Sequence, residues 1–186
     1  MSEVKYVKDS QVEMTELILP SDANPLGFLL GGRLMHWIDI CAAMAAMKHA
    51  GKVVVTASVD ELNFLCPIKI GEVVILKASV NRVFRTSMEV GVKVFAMNPL
   101  TGEVRHANSA YLTFVAIDEN GKPVPVPPIV PETEDEKRRY EEALFRRQQR
   151  LRHKEELKNA RKQGPKNLYN FFLSIHILFR SFDFSK

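Results

Sequence analysis

The sequence predicts an α+β domain in which one long helix lies against one strongly curved antiparallel sheet. Three observations carry this. Residues 31–50 repeat apolar side chains at helical spacing, the segments after them repeat at strand spacing, and the links between those segments are short. Consecutive strands on short links pair antiparallel. A lone helix must then bury its apolar stripe against the face they form.

Taken in order, the chain opens on Met1–Lys8, which is mixed in charge and has no apolar run behind it, so no signal peptide is expected. Val12 to Leu19 reads as a first strand, stopped by Pro20 and Ser21. Asn24 to Leu30 is a loop that feeds a helix starting near Gly31. Leu34, Ile38, Cys41, Ala42, Ala45 and His49 fall three and four apart along it. Ala42, Ala43, Ala45 and Ala46 carry almost no side chain, which lets a sheet approach closely. Ala50 and Gly51 supply the stop, with Lys48 and His49 in the last turn, where positive charge suits the helix dipole.

The period then changes. Val53 to Val59, Val73 to Val80, Ser87 to Phe95 and Arg105 to Ile117 read as four strands, separated by breaks at Pro67, Gly71 and Asn98-Pro99. Pro125, Pro127, Pro128 and Pro131 make an extended exit, and the acids from Glu132 to Glu136 open a charged helix at its positive end. The organisation expected is a domain over residues 1–130, a charged helix over 131–165, and an apolar, aromatic tail over 166–186.

Composition narrows the class. The 186 residues carry a net charge of +4. From Lys137 to Lys166 there are 12 Lys/Arg against 4 Glu, a surplus of +8, so the rest of the chain sums to −4. The basic balance belongs to the tail helix. A solvated, salt-bridged helix is the expectation there, since it lacks the interleaved aromatics of a single-strand binder, and no nucleic-acid partner is expected. Cys41 and Cys66 lack disulfide or metal-ligand spacing and read as reduced core residues of a cytoplasmic protein. Nothing is apolar for the roughly 18 residues of a membrane span. Leu168 to Phe179 is too short for one; docking on a neighbouring subunit, lying on a membrane surface and having no function all remain open for it.

One carboxylate stands out. Asp39 sits between Ile38 and Ile40 with no Lys or Arg three or four positions away, so it is hydrogen-bonded, perturbed or functional, or else lies on the helix's wet edge. His36, one turn earlier, reads as packed or partly exposed, and His106 as structural. No zinc, phosphate-loop or serine-elbow pattern appears.

The ordered set Ser21, Asp22, Ala23, Asn24, Gly27, Gly31, Gly32 and Asp39 resembles the opening of the hotdog-fold acyl-CoA thioesterases. Val55 to Asp60 with Asn63 and Phe64, then Thr86 to Glu89, extend the likeness. The run Pro125 to Lys137 is similar to the cytosolic acyl-CoA hydrolase branch, and the resemblance covers roughly residues 10 to 150. It implies a hotdog fold, hydrolysis of fatty acyl-CoA to fatty acid and CoA without cofactor or metal, and homodimers that associate as trimers of dimers, with sites between subunits. It implies that Asn24 and Asp39 are catalytic. A thioester oxygen gaining charge needs donors, which a helix N-terminus supplies, and Gly31 and Gly32 leave room for it, besides making a tight loop. Asp39 then activates a water or attacks the carbonyl itself. Asn24 also suits a turn ahead of Pro25. Thr56 and Ser58 are expected along the pantetheine channel, with core packing as the plain alternative. Arg85, Thr86 and Ser87 are expected at the CoA pantetheine and phosphates, with a hairpin turn as theirs. The alternative function is a non-catalytic acyl-CoA sensor; a carboxylate beside the thioester favours the enzyme.

Overall fold

The computed structural model describes residues 4–60, 62 and 64–163. In chain order the elements are β1 (Lys5–Tyr6), β2 (Val12–Leu17), α1 (Gly31–Ala50), β3 (Val53–Val59), β4 (Val73–Val83), β5 (Ser87–Met97), β6 (Val104–Ile117), β7 (Ile129–Val130) and α2 (Glu134–Gln163). Short 3₁₀ turns at Val7–Ser10 and Pro20–Asp22 flank β2. Five strands form one antiparallel sheet in the order β2-β4-β5-β6-β3. β1 and β7 pair in parallel as a two-residue clasp that strand periodicity is too short to reveal.

Three register shifts curl the sheet, each adding one residue to one strand: Ala57 in β3, Asn81 in β4 and Ala107 in β6. Such bulges bend and twist a strand. The concave face wraps α1, which packs across β4, β3 and β5. Ala42, Ala45, Ala46 and Cys41 are fully buried at the contact, so the alanine run does what its small volume suggests. Alternate residues of β4, β5 and β6, among them Leu76, Val90 and Phe114, close the core from the sheet side. Each such buried side chain contributes about 1.5–3 kcal/mol.

The two ends of α1 are treated differently. At the C-terminus Gly51 adopts φ 61 and returns its N–H to the Met47 carbonyl at 2.8 Å. Lys5 Nζ bonds the His49 carbonyl at 2.8 Å and Lys48 Nζ bonds the Gln11 carbonyl at 2.9 Å. His49 departs from its dipole role. Its ring is fully buried, with Nε2 2.9 Å from the Pro127 carbonyl, and burial lowers its pKa. The extended exit of the chain covers it, and the neutral ring serves as a hydrogen-bonded plug.

α2 begins two residues later than its acids suggest because Thr133 caps it. Thr133 Oγ1 accepts from Glu136 N–H at 3.2 Å while the Glu136 carboxylate accepts from Thr133 N–H at 3.0 Å, a capping box. Arg82 of β4 donates to the Tyr140 carbonyl at 3.0 Å and stacks 4.0 Å from its ring. The described chain falls into two compact units, one ending at Ala143 and one starting at Leu144. No described helix is long and apolar enough to cross a membrane. The apolar stretch 168–179 lies outside the described residues, as does Asn63.

Candidate active site

The loop before α1 is held from several sides. Asp22, buried after the Pro20 turn, accepts from Leu19 N–H at 3.1 Å and pairs with Arg33 in the first turn of α1 at 3.0 Å. Its carbonyl accepts from Leu30 N–H at 2.9 Å. Asn24 then folds the loop on itself. Its Oδ1 accepts from Leu26 N–H at 3.0 Å and Phe28 N–H at 3.2 Å, an Asx turn. Its backbone N–H reaches the Phe28 carbonyl at 2.8 Å. With Oδ1 spent on the backbone, the donating NH₂ is the group that Asn24 has to offer.

The facing wall is residues 64–70. Leu29 N–H bonds the Ile68 carbonyl at 2.8 Å, and Ile70 N–H bonds the Gly27 carbonyl at 3.1 Å. Behind it, the guanidinium of Arg105 grips Glu72 at 2.6 and 2.7 Å and the Pro67 carbonyl at 2.9 Å. That guanidinium holds the Glu72 carboxyl below the usual carboxylate range. Between loop and wall lies a cavity of about 410 Å³ lined by Asn24, Phe28, Gly31, Leu34, Phe64 and Ile68 among others. Its lining is mostly apolar, and it reaches the start of α1. Leu30, the N-cap, gives the helix no side-chain bond, so the first-turn N–H groups remain available donors. Gly31 has a packing reason to be glycine, because a Cβ there would stand 3.2 Å from the Phe64 ring. At Gly32 a Cβ would meet nothing within 4 Å.

Asp39 lies further along α1, half-buried, and its Oδ1 accepts from Thr56 Oγ1 at 2.7 Å. Thr56 stands opposite Phe114 of β6, itself opposite Met88 of β5, so its side chain shares the face that meets α1. Thr56 is thus placed on the carboxylate. Ser58, past the Ala57 bulge, is half-buried opposite Thr113. Arg85, Thr86 and Ser87 form the β4–β5 corner, where the carbonyls of Arg85 and Thr86 accept from Val126 and Ala116 and the Arg85 side chain is exposed. Ser87 faces Val115, which faces Val55, so the corner lies about 10 Å, two strand spacings, from the row next to Thr56. Neither Asp39, Thr56 nor the corner lines the cavity of Asn24. His36 is exposed. His106 bonds Ser109 Oγ at 2.9 Å and tilts against Phe95, as a structural histidine does. Among the described residues no three His, Cys, Asp or Glu side chains converge to hold a metal ion.

The model of the thioesterase superfamily matches residues 26–103. A protein of Bacillus subtilis named as an uncharacterized acyl-CoA thioester hydrolase, YkhA, is 44% identical over 161 residues, 85% of this chain and 94% of that protein. The chain belongs to the thioesterase superfamily. Its α1 wrapped by the curled five-stranded sheet is the hotdog of that family. An acyl-CoA hydrolase from Staphylococcus aureus, solved with butyryl coenzyme A, coenzyme A and coenzyme A disulfide, superposes with a TM-score of 0.80 at 38% identity, over 87% of this chain and 98% of that one. A hexameric acyl-CoA thioesterase superposes with a TM-score of 0.79 at 44% identity, over 81% and 97%. Further structures of the S. aureus enzyme carry alanine in place of an asparagine, an aspartate and a threonine that are 15 and 17 residues apart. The same steps separate Asn24, Asp39 and Thr56.

Proposed function

We propose that this thioesterase hydrolyses acyl-CoA to a free carboxylic acid and CoA, in a site completed between two subunits. The observation that carries it is the apolar cavity ending at Asn24 and the uncapped N-terminus of α1. The acyl chain lies in that cavity, and the thioester oxygen points at the N–H groups of Gly31 and Gly32 and at the Asn24 amide. As the carbonyl carbon is attacked, charge moves to that oxygen, and the helix dipole and fixed donors stabilise it. Asp39, oriented by Thr56, either takes a proton from the attacking water or attacks the carbonyl itself, giving an anhydride that water opens. In both routes the C–S bond breaks and the CoA thiolate takes up a proton.

Asp39 lies eight residues into α1, about 12 Å from its start, and is absent from the lining of its own protomer's cavity. A partner across β3 therefore supplies it. β3 is an edge strand with Val53 and Val55 63% and 44% exposed, and Met35, Ile40 and Met47 of α1 are exposed as well. Edge-to-edge pairing about a two-fold covers these residues and brings each Asp39 toward the other protomer's Asn24. Thr56, Ser58 and the Arg85–Ser87 corner then follow the pantetheine and phosphates. The hexameric relative supports a trimer of such dimers. No cofactor enters the reading, and both cysteines are free, as in a cytoplasmic setting.

Thiol release from a ladder of acyl-CoAs, acetyl to palmitoyl, tests the function. Turnover of at least one member is the expected result. Tight binding of the whole ladder without thiol release would make this chain a sensor instead.

A further inference from the structure

The large apolar side chains around the cavity of Asn24 fall into two kinds. Leu34 and Ile68 are buried and packed in the core. Phe64 and Leu65 line the cavity too, yet they are 53% and 60% exposed. Their backbone is tied down all the same, since Leu65 N–H bonds the Ala107 carbonyl at 3.1 Å. From that anchored wall the Phe64 ring reaches the start of α1, and it arrives tip first. A Cβ built on Gly31 would stand 3.2 Å from Cζ and 3.7 Å from both Cε1 and Cε2 of the ring, its three nearest neighbours. The ring is therefore a crossbar between wall and helix, and Gly31 is the notch that receives it. Glycine costs a helix up to about 1 kcal/mol relative to alanine, so a notch in the first turn needs a reason, and the ring supplies one. Gly32, with open space where its Cβ would be, has no such neighbour.

We propose that Phe64 selects the acyl group by shape, admitting chains unbranched next to the carbonyl and rejecting those with a substituent on the α-carbon. The inference deepens the acyl-CoA reading of the cavity and rests on it. With the thioester oxygen at the N–H groups of Gly31 and Gly32, the α-carbon lies only two bonds from that oxygen. That places it where the ring tip crosses to Gly31. A straight chain runs past the ring into the cavity between Leu34 and Ile68, whereas an α-methyl group meets the ring itself. Misfit of a single methyl group in an apolar site costs about 10- to 200-fold in kcat/KM. Phe64 is thus a specificity-determining residue that touches the substrate, and Gly31 lets it stand there.

The test compares isomers that match in carbon count and differ in branching: butyryl- against isobutyryl-CoA, and palmitoyl- against 2-methylpentadecanoyl-CoA. Thiol release is followed with the full chain. The same four acyl groups are also presented as ketone analogues, in which CH₂ replaces the thioester sulfur, for binding by calorimetry. The parent is expected to favour the straight isomer at least about ten-fold, in kcat/KM and in the Kd of the analogues. Phe64→Ala is expected to bring that ratio to within about two-fold, chiefly by improving the branched isomer, with Phe64→Leu in between. Leu65→Ala, at a lining residue that supplies none of the atoms nearest Gly31, is expected to affect both isomers alike. A parent indifferent to branching, a Phe64→Ala chain that keeps the parent's ratio, or a Leu65→Ala chain that loses it overturns the proposal. A parent that releases no thiol from any acyl-CoA refutes the hydrolase reading alone. The Kd ratios of the analogues then decide the selection on the same three criteria, and analogues that do not bind overturn it.

Discussion

Asp39 shows how much of a residue's role the sequence holds. That it is unusual was legible from Ile38 and Ile40 on either side; that Thr56 is its partner was not, because the two are 17 positions apart on different elements. Asp39→Ala is expected to keep the fold and acyl-CoA binding and to lower kcat by about 10²-fold or more. Thr56→Ala removes a single orienting bond, so kcat is expected to fall about ten-fold with KM little changed, and Thr56→Ser to restore most of it. A fall in KM-based affinity with kcat intact would return Thr56 to the pantetheine channel. His49 is the residue whose neighbours in the chain misled, because a basic residue in a last turn says nothing of the segment that covers it. Burial disfavours its charged form, outweighing the hydrogen bond to the Pro127 carbonyl and the charge of Asp9, and Lys5 acts in the same direction as burial. The unfolded chain therefore binds the proton first as pH falls below 6.5. Stability is expected to drop through that window and level off below the lowered folded value. His49→Phe should flatten urea midpoints there.

At the scale of elements, α1 and β4 to β6 were legible because each buries a face against the other layer, and β3, largely exposed in the single chain, was legible from its dense β-branched composition. What the sequence hid is how elements are tied. Asp22 with Arg33, Glu72 with Arg105 and the capping box at Thr133 are pairings of ordinary surface residue types, and only the last has a spacing that announces it. The Glu72–Arg105 pair braces the cavity wall through the Pro67 carbonyl. Arg105→Ala leaves a largely buried carboxylate without its partner, so a loss of about 2 kcal/mol is expected in urea unfolding. KM for acyl-CoA should rise with it as the wall loosens. Because the folded Glu72 pKa is lowered, this contribution is present above the usual carboxylate range near 4.5 and fades as pH falls below it. A destabilisation that persists unchanged in acid would remove the ion pair as its cause.

For the whole molecule, the proposal is a site divided between subunits. Asn24 serves a cavity that Asp39 does not reach in the same chain, and an isologous dimer repeats each cross-subunit pair twice. Asn24→Ala and Asp39→Ala chains are each expected to be nearly inactive. Unfolded and refolded together, they should regain about a quarter of parental activity, since random pairing makes half the dimers mixed, each with one intact site. A mixture that stays inactive while the parent refolds would put both residues in one subunit. Sequence reading reached this arrangement through the family resemblance and the helix geometry; the cavity boundary that now supports it depends on Phe64 and Ile68, whose positions no periodicity encodes.

The unequal edges of the sheet have a further consequence, for the life of the chain before it finds a partner. β2 carries Glu13 and Glu16, the first paired with Lys77 at 3.2 Å, and charge of that kind discourages stray strands from adding on. β3 reads Val-Val-Val-Thr-Ala-Ser-Val, with no charge and no proline to guard it. A newly made protomer thus exposes a sticky ribbon that any unfolded chain can extend. Placing a lysine at Val55 should therefore split two outcomes that usually travel together, giving chains that stay dispersed on heating yet no longer assemble.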